Sequence, residues 1–157
     1  MIFTSQDMLV PIADLKASLE VFHSEAEIYP IWLCPFKLPA RPGMLKVAGG
    51  NKEEMFVDVG VYGVPKNDRF VEKESFQQTC LYRVSRFDAV KTTRKVEEFV
   101  RSVNGFQMMY ADSYMTREEF RSMFDHTLYD EMRLKLKCDG SFPEVYDKVN
   151  KKSRAGN

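Results

Sequence analysis

The sequence predicts an α+β fold. It reads as a ferredoxin-like β-α-β-β-α-β antiparallel sheet with its helices on one face, followed by C-terminal helices. Three observations predict this. Residues 53–62 and 106–114 alternate or run apolar in the manner of strands. Residues 13–25 and 87–104 carry apolar stripes at helical spacing. After residue 115 the apolar residues recur only at helical spacing.

Gln6-Asp7-Met8-Leu9-Val10-Pro11 reads as the first strand. A chain that opens on a strand without a leader is expected to be the later part of something longer. In the first helix, over 13–25, Ile12, Leu15, Leu19 and Phe22 form one stripe. Residues 26–38 are apolar on both faces but contain Pro30 and Pro35, with Pro39 following. Proline cannot donate to a ladder, so this second strand belongs at an edge or is irregular. A Pro- and Gly-containing loop covers 40–51. In the strand over 53–62, Val57, Val59 and Val61 share one face; Phe56, Asp58, Gly60 and Tyr62 share the other.

Residues 63–86 are charged and without period, except for Cys80-Leu81-Tyr82-Arg83-Val84, which reads as a short strand. The second helix, 87–104, buries Val96, Phe99, Val100 and Val103. Asn104-Gly105 ends it, with the glycine suited to a left-handed position. Residues 106–114 read as a strand buried on both faces, with Phe106, Met108, Tyr110, Asp112 and Tyr114 on one side. Thr116-x-x-Glu119 is a capping box that starts a helix over 116–124. Further helices follow over 127–137 and 142–149, and the basic tail 151–157 reads as a solvated end.

The chain has 157 residues, enough for one domain with a real core and an appended helical segment. Its 23 basic and 23 acidic side chains cancel, which argues against a general nucleic-acid binder. Cys34, Cys80 and Cys138 are odd in number and far apart, so they read as reduced thiols in a cytosol-like compartment. No apolar run is long enough to span a membrane. No nucleotide-binding glycine fingerprint and no metal-ligand spacing is present. His23 suits a helix C-terminus, and His126 a cap or loop between helices; no triad is visible.

Asp58 and Asp112 are the most informative acids, each read as mid-strand on an aromatic face. Each either pairs with Arg or Lys from another element, lies at a wet sheet edge, or lines a pocket and orients a ligand hydroxyl or a basic partner. Trp32, Tyr62, Tyr110 and Tyr114 share that ambiguity. Both predicted helices use the other face of the sheet, so a self-sufficient domain should be polar here. This face is instead apolar and ringed, so the C-terminal helices, a ligand or a second domain must cover it.

Several stretches resemble one family. They are Gln6-Asp7-Met8-Leu9-Val10-Pro11, Tyr29-Pro30-Ile31-Trp32-Leu33-Cys34-Pro35, Asp58-Val59-Gly60-Val61-Tyr62-Gly63, and Phe99-Val100-Arg101-Ser102-Val103 with Gly105-Phe106-Gln107-Met108. Tyr110-Ala111-Asp112, Tyr114-Met115, Arg117-Glu118-Glu119-Phe120, Met123-Phe124-Asp125 and Phe142-Pro143-Glu144-Val145-Tyr146-Asp147-Lys148 complete the set. Together they resemble the C-terminal part of the Δ24-sterol reductase family.

The resemblance implies a flavoenzyme of the vanillyl-alcohol-oxidase type, with FAD in an N-terminal domain and a cap domain over the flavin. It implies reduction of the C24–C25 double bond of a sterol side chain with NADPH as electron donor. It also implies association with the endoplasmic reticulum membrane through an N-terminal segment. The FAD-binding domain and that segment have no counterpart here, so the chain is expected to be soluble and inactive alone. Residues 67–86 are longer than the family's connection and read as a loop insertion. On this reading residues 6–115 are the cap or substrate domain, and 116–150 pack back on the missing FAD-binding domain. Trp32, Asp58, Tyr62, Tyr110, Asp112 and Tyr114 would line the sterol and flavin side, with Tyr110 the first candidate for proton donor. The alternative is a non-enzymatic ferredoxin-like module that binds a small molecule or dimerises.

Overall fold

The computed structural model describes residues 4–40, 43–47, 52–65, 68–75, 78–85 and 88–154. The strands are β1 (Thr4–Pro11), β2 (Ile31–Leu38), β3 (Glu54–Gly63), β4 (Asp68–Ser75), β5 (Gln78–Ser85) and β6 (Phe106–Gln107). The helices are α1 (Leu15–Glu25), α2 (Ala89–Ser102), α3 (Arg117–Met123), α4 (Thr127–Lys135), α5 (Val145–Val149) and α6 (Lys151–Arg154). The main sheet runs β2-β3-β1-β6, antiparallel throughout. That is the strand order of a ferredoxin-like unit, with β4 and β5 inserted between β3 and α2 as a separate two-stranded hairpin. The stretch read as patternless is therefore a paired hairpin, of which only the second strand was foreseen.

Register assigns the faces. Met8 lies opposite Val59, Val10 opposite Val57, and Gln6 opposite Val61. Met8, Val10, Val57, Val59 and Val61 are all buried, as are Phe22 and Ala26 of the first helical unit and Val96 and Val100 of α2. Together they form the core between sheet and helix pair. Ile12, expected in the first stripe, is exposed and lies in a 3-10 turn (Ile12–Asp14) that precedes α1.

On the opposite face Asp7 lies across from Gly60, Leu9 from Asp58, Trp32 from Gly60 and Cys34 from Asp58. One half of this face is covered. A row of rings runs Phe36–Phe56–Phe106–Phe124–Phe120, with centroids 6.2, 5.7, 6.5 and 4.8 Å apart in turn. Phe120 and Phe124 come from α3 and its C-terminal end, so the C-terminal helices do close part of the sheet. The other half stays open: Trp32, Tyr62 and Tyr110 are 60, 44 and 63 % exposed.

The predicted strand over 106–114 is mostly not a strand. Pairing to β1 ends at Gln107, and the chain turns at Met109–Tyr110. Two amides remove it from the ladder: Gln6 Nε2 and Gln107 Nε2 donate to the Asp112 carbonyl at 3.0 and 3.2 Å. Ser113 then bridges to Asn150 in parallel, and Glu97 of α2 accepts from Ser113 Oγ at 3.1 Å and from the Tyr114 amide at 2.7 Å. Glu97 is wholly buried, and burial raises its pKa against those two donors.

Helix boundaries have local causes. Asp88 caps α2 by accepting from the Val90 and Lys91 amides, both at 3.1 Å. At its far end Asn104, not Gly105, takes the left-handed conformation, φ 55°. Gly105 serves closeness instead: a Cβ there would lie 2.5 Å from the Leu9 carbonyl oxygen. The capping box of α3 is present, with Glu119 N to Thr116 Oγ1 at 3.2 Å and Thr116 N to Glu119 Oε2 at 2.7 Å. The last predicted helix is shorter than read, beginning at Val145. The edges differ: β6 donates its Gln107 N–H to Met123 Sδ at 3.3 Å, while β2 has Pro35 within it.

Candidate functional site

The open half of the sheet brings Asp7, Trp32, Asp58, Tyr62 and Tyr110 together. β1 positions Asp7, which is only 1 % exposed, directly over Gly60 of β3. Glycine is required there, since a Cβ would stand 2.6 Å from Asp7 Oδ1 and 2.9 Å from the Tyr62 ring. Asp58 and Tyr62 flank Gly60 on the same strand face. The Tyr62 hydroxyl donates to Asp7 Oδ1, and it lies 3.1 Å from the Tyr110 hydroxyl. Tyr110 reaches the site from the turn after β6. Trp32 and Cys34 close it on the β2 side, both exposed.

The electrostatics follow from acids crowded together with no cation among the described residues in contact with them. Burial first, then the charge of Asp7 and a hydrogen bond with it, push the Asp58 carboxyl up to about 6. Burial, then the hydrogen bond to Asp7, also push the Tyr62 phenol up. Asp7 Oδ2 and Asp58 Oδ1 are both buried with no hydrogen-bond partner. The result is a line from buried carboxyls through Tyr62 to a phenol in solvent. It can hold and hand over a proton beside aromatic surface.

Asp112 and Tyr114 are not part of this group. Asp112 pairs with Lys151 at 2.6 Å and with Arg154. Burial would raise its carboxyl, but the two cations outweigh burial and hold it below the usual range. The basic tail read as solvated therefore neutralises Asp112 through α6. Tyr114 is fastened through its backbone, its carbonyl accepting from Arg94 at 3.3 Å; burial first, then Asp112, raises its phenol. Asp7 is the member that sequence reading missed as a site residue. The signal was a lone acid in an apolar strand, but only the β1–β3 register puts it beside Asp58.

His126 is 6 % exposed, stacks edge-on with Phe120 and Tyr129, and bonds the Phe124 carbonyl through Nδ1. It is a packing residue at the start of α4. A groove of about 620 Å³ lies along α4, lined by Leu128, Met132, Leu136, Phe142, Pro143 and Val145 among others. Its lining has no carboxylate and no histidine. Among the described residues no cluster of His, Cys, Asp or Glu could hold a metal ion, and no helix is long and apolar enough to cross a membrane.

No protein-family profile matches the chain, and no solved structure does. Curated proteins do. The chain is 48 % identical over 149 residues to the human Delta(24)-sterol reductase, covering 95 % of this chain and 25 % of that protein. It is 47 % identical over 149 residues to a Delta(24)-sterol reductase homolog of Caenorhabditis elegans, with the same coverage of both. It is 37 % identical over 158 residues to the Arabidopsis thaliana Delta(24)-sterol reductase, covering 93 % of this chain and 26 % of that one. The chain thus spans about a quarter of the length of the curated relatives it matches.

Proposed function

We propose that this chain, which belongs to the Delta(24)-sterol reductase family over the quarter of those proteins it spans, forms the wall that closes over the sterol side chain in an oxidoreductase. The activity is reduction of the C24–C25 double bond, and it needs the FAD-binding remainder of such a protein. The observation that carries this reading is the open half-face, where exposed Trp32, Tyr62 and Tyr110 surround the buried Asp7 and the half-buried Asp58. A free-standing domain has no reason to keep that combination bare.

The residues present fit a flat neutral ring and an apolar substrate. Trp32 and the two tyrosines offer stacking surface and hydroxyls, while among the described residues no cation stands beside them for a pyrophosphate. The phosphate-bearing parts of FAD and NADPH would therefore be held outside this face. The hydride for one alkene carbon would come from a reduced flavin held by the remainder of such a protein. Tyr110 then gives its hydroxyl proton to the other, and the surrounding rings exclude water from the step.

Residues 116–150 have a second role in this reading. Their inner face joins the ring row of the sheet, and their outer face meets the FAD-binding domain. Leu128, Leu134, Leu136 and Phe142 are 57, 76, 67 and 65 % exposed on that outer side. In the cell the whole protein acts at the endoplasmic reticulum membrane, where its sterol resides.

The test is substitution in a full-length relative. Tyr→Phe at the position of Tyr110 should lower turnover by about 10²-fold or more while leaving the flavin absorbance unchanged. Unchanged turnover removes Tyr110 as donor. The chain by itself is expected to be colourless and not to oxidise NADPH; a yellow, NADPH-oxidising preparation contradicts the division of labour.

A further inference from the structure

The acids behind Tyr110 have no cation beside them among the described residues, unlike the partly buried acids Asp112 and Glu119. Asp112 has Lys151 and Arg154, and Glu119 has Arg94 and Arg101. Among the described residues no cation contacts Asp7 or Asp58. The groups that face them are Tyr62 from β3, Trp32 and Cys34 from β2, and Tyr110 beyond Tyr62. Asp7 pairs with Gly60 and Asp58 lies two residues along β3, so the two are diagonal neighbours on one sheet face and repel when both are ionised. Each also has a buried oxygen, Asp7 Oδ2 and Asp58 Oδ1, for which no donor is present. A single proton held by the pair relieves the repulsion and supplies the missing donor.

We propose that Asp7 and Asp58 share one proton and that Tyr62 conducts it to Tyr110, making the pair the store from which the Tyr110 hydroxyl is refilled. This rests on the reading of Tyr110 as proton donor and extends it to residues that do not touch substrate. The proton count closes. When Tyr110 gives up its hydroxyl proton it becomes a phenolate. The Tyr62 hydroxyl, 3.1 Å away, turns from Asp7 Oδ1 and passes its proton across; the Asp7 carboxyl, having taken the shared proton from Asp58, turns its O–H to Tyr62 and restores the hydroxyl. Both carboxyls are then ionised. Asp58, the more accessible of the two, takes one proton from water and resets the line. No electron moves in these steps. Asp7, Asp58 and Tyr62 are positioning and relay residues.

Carbon-detected NMR of the labelled chain tests this without the cofactor. The Asp58 carboxyl carbon should titrate near pH 6, and the Tyr110 Cζ resonance should follow the same step. In Tyr62→Phe the carboxyl step should persist while Tyr110 stops following it. In Asp58→Asn the step should vanish from both. Ordinary carboxylate titration of Asp58 overturns the shared proton. A Tyr110 response that survives Tyr62→Phe, or none in the unaltered chain, overturns the relay. These outcomes are separable from the donor reading. Unchanged turnover of Tyr110→Phe in a full-length relative would discard the donor and leave the titration standing; ordinary titration with lost turnover would do the reverse.

Discussion

At the residue scale, Gly60 and Asp58 decide the behaviour of the open half-face. Gly60→Ala drives a methyl into Asp7 Oδ1 and the Tyr62 ring, both of which are fixed by one hydrogen bond. The expected cost is about 1–3 kcal/mol, read as a lowered urea midpoint with an unchanged slope. Asp58 gives a pH signature of definite sign. Its folded pKa, about 6, lies above the ordinary 3.8, so the folded state binds the proton more tightly. Its contribution is fully present below the ordinary value and is lost as pH rises through about 6. Asp58→Asn should remove that decline from a plot of stability against pH; an unaltered decline would assign it elsewhere.

At the scale of elements, α3 is set by its first turn. Thr116 caps it, and Glu119 both completes the box and binds Arg94 through two contacts at 2.5 and 2.7 Å. Thr116→Ala should cost about 1 kcal/mol in chemical denaturation. Arg94 first, against some burial and with the Thr116 amide, holds the Glu119 carboxyl down to about 2. Its stabilisation is present above the ordinary 4.5 and is lost as pH falls through about 2, so Glu119→Gln should flatten the acid limb of a thermal-stability profile. Local signals of this kind were legible: the box, the stripe of α2, the valine alternation of β3 and the prolines of an edge strand all correspond to observed elements. Residues 106–114 were not, because side-chain amides from two strands take the chain out of the ladder at Asp112. A period of two in hydrophobicity does not register that competition. The β4 strand was hidden because its sequence, Asp68 to Ser75, is mostly charged and lacks an apolar alternation.

At the scale of the whole molecule, one sheet face is shared between two uses. The ring row from Phe36 to Phe120 seals one end under the C-terminal helices, while Trp32, Tyr62 and Tyr110 remain bare at the other. Removing residues 116–157 should therefore uncover the Phe56–Phe106 pair and abolish cooperative unfolding, measured as loss of the near-ultraviolet circular dichroism transition. The candidate site was half legible. Trp32, Asp58, Tyr62 and Tyr110 were named from their residue types and faces, and the structure brings them together. Asp112 and Tyr114 were grouped with them by a strand that is not there, and Asp7 needed the register. Pro35 has a consequence for how copies of this chain meet. A sheet is lengthened by strands that trade hydrogens along its border, and on the β2 border one rung is missing. A neighbour laid along that side would find no donor at Pro35, so fibril-like stacking through β2 is disfavoured from the outset.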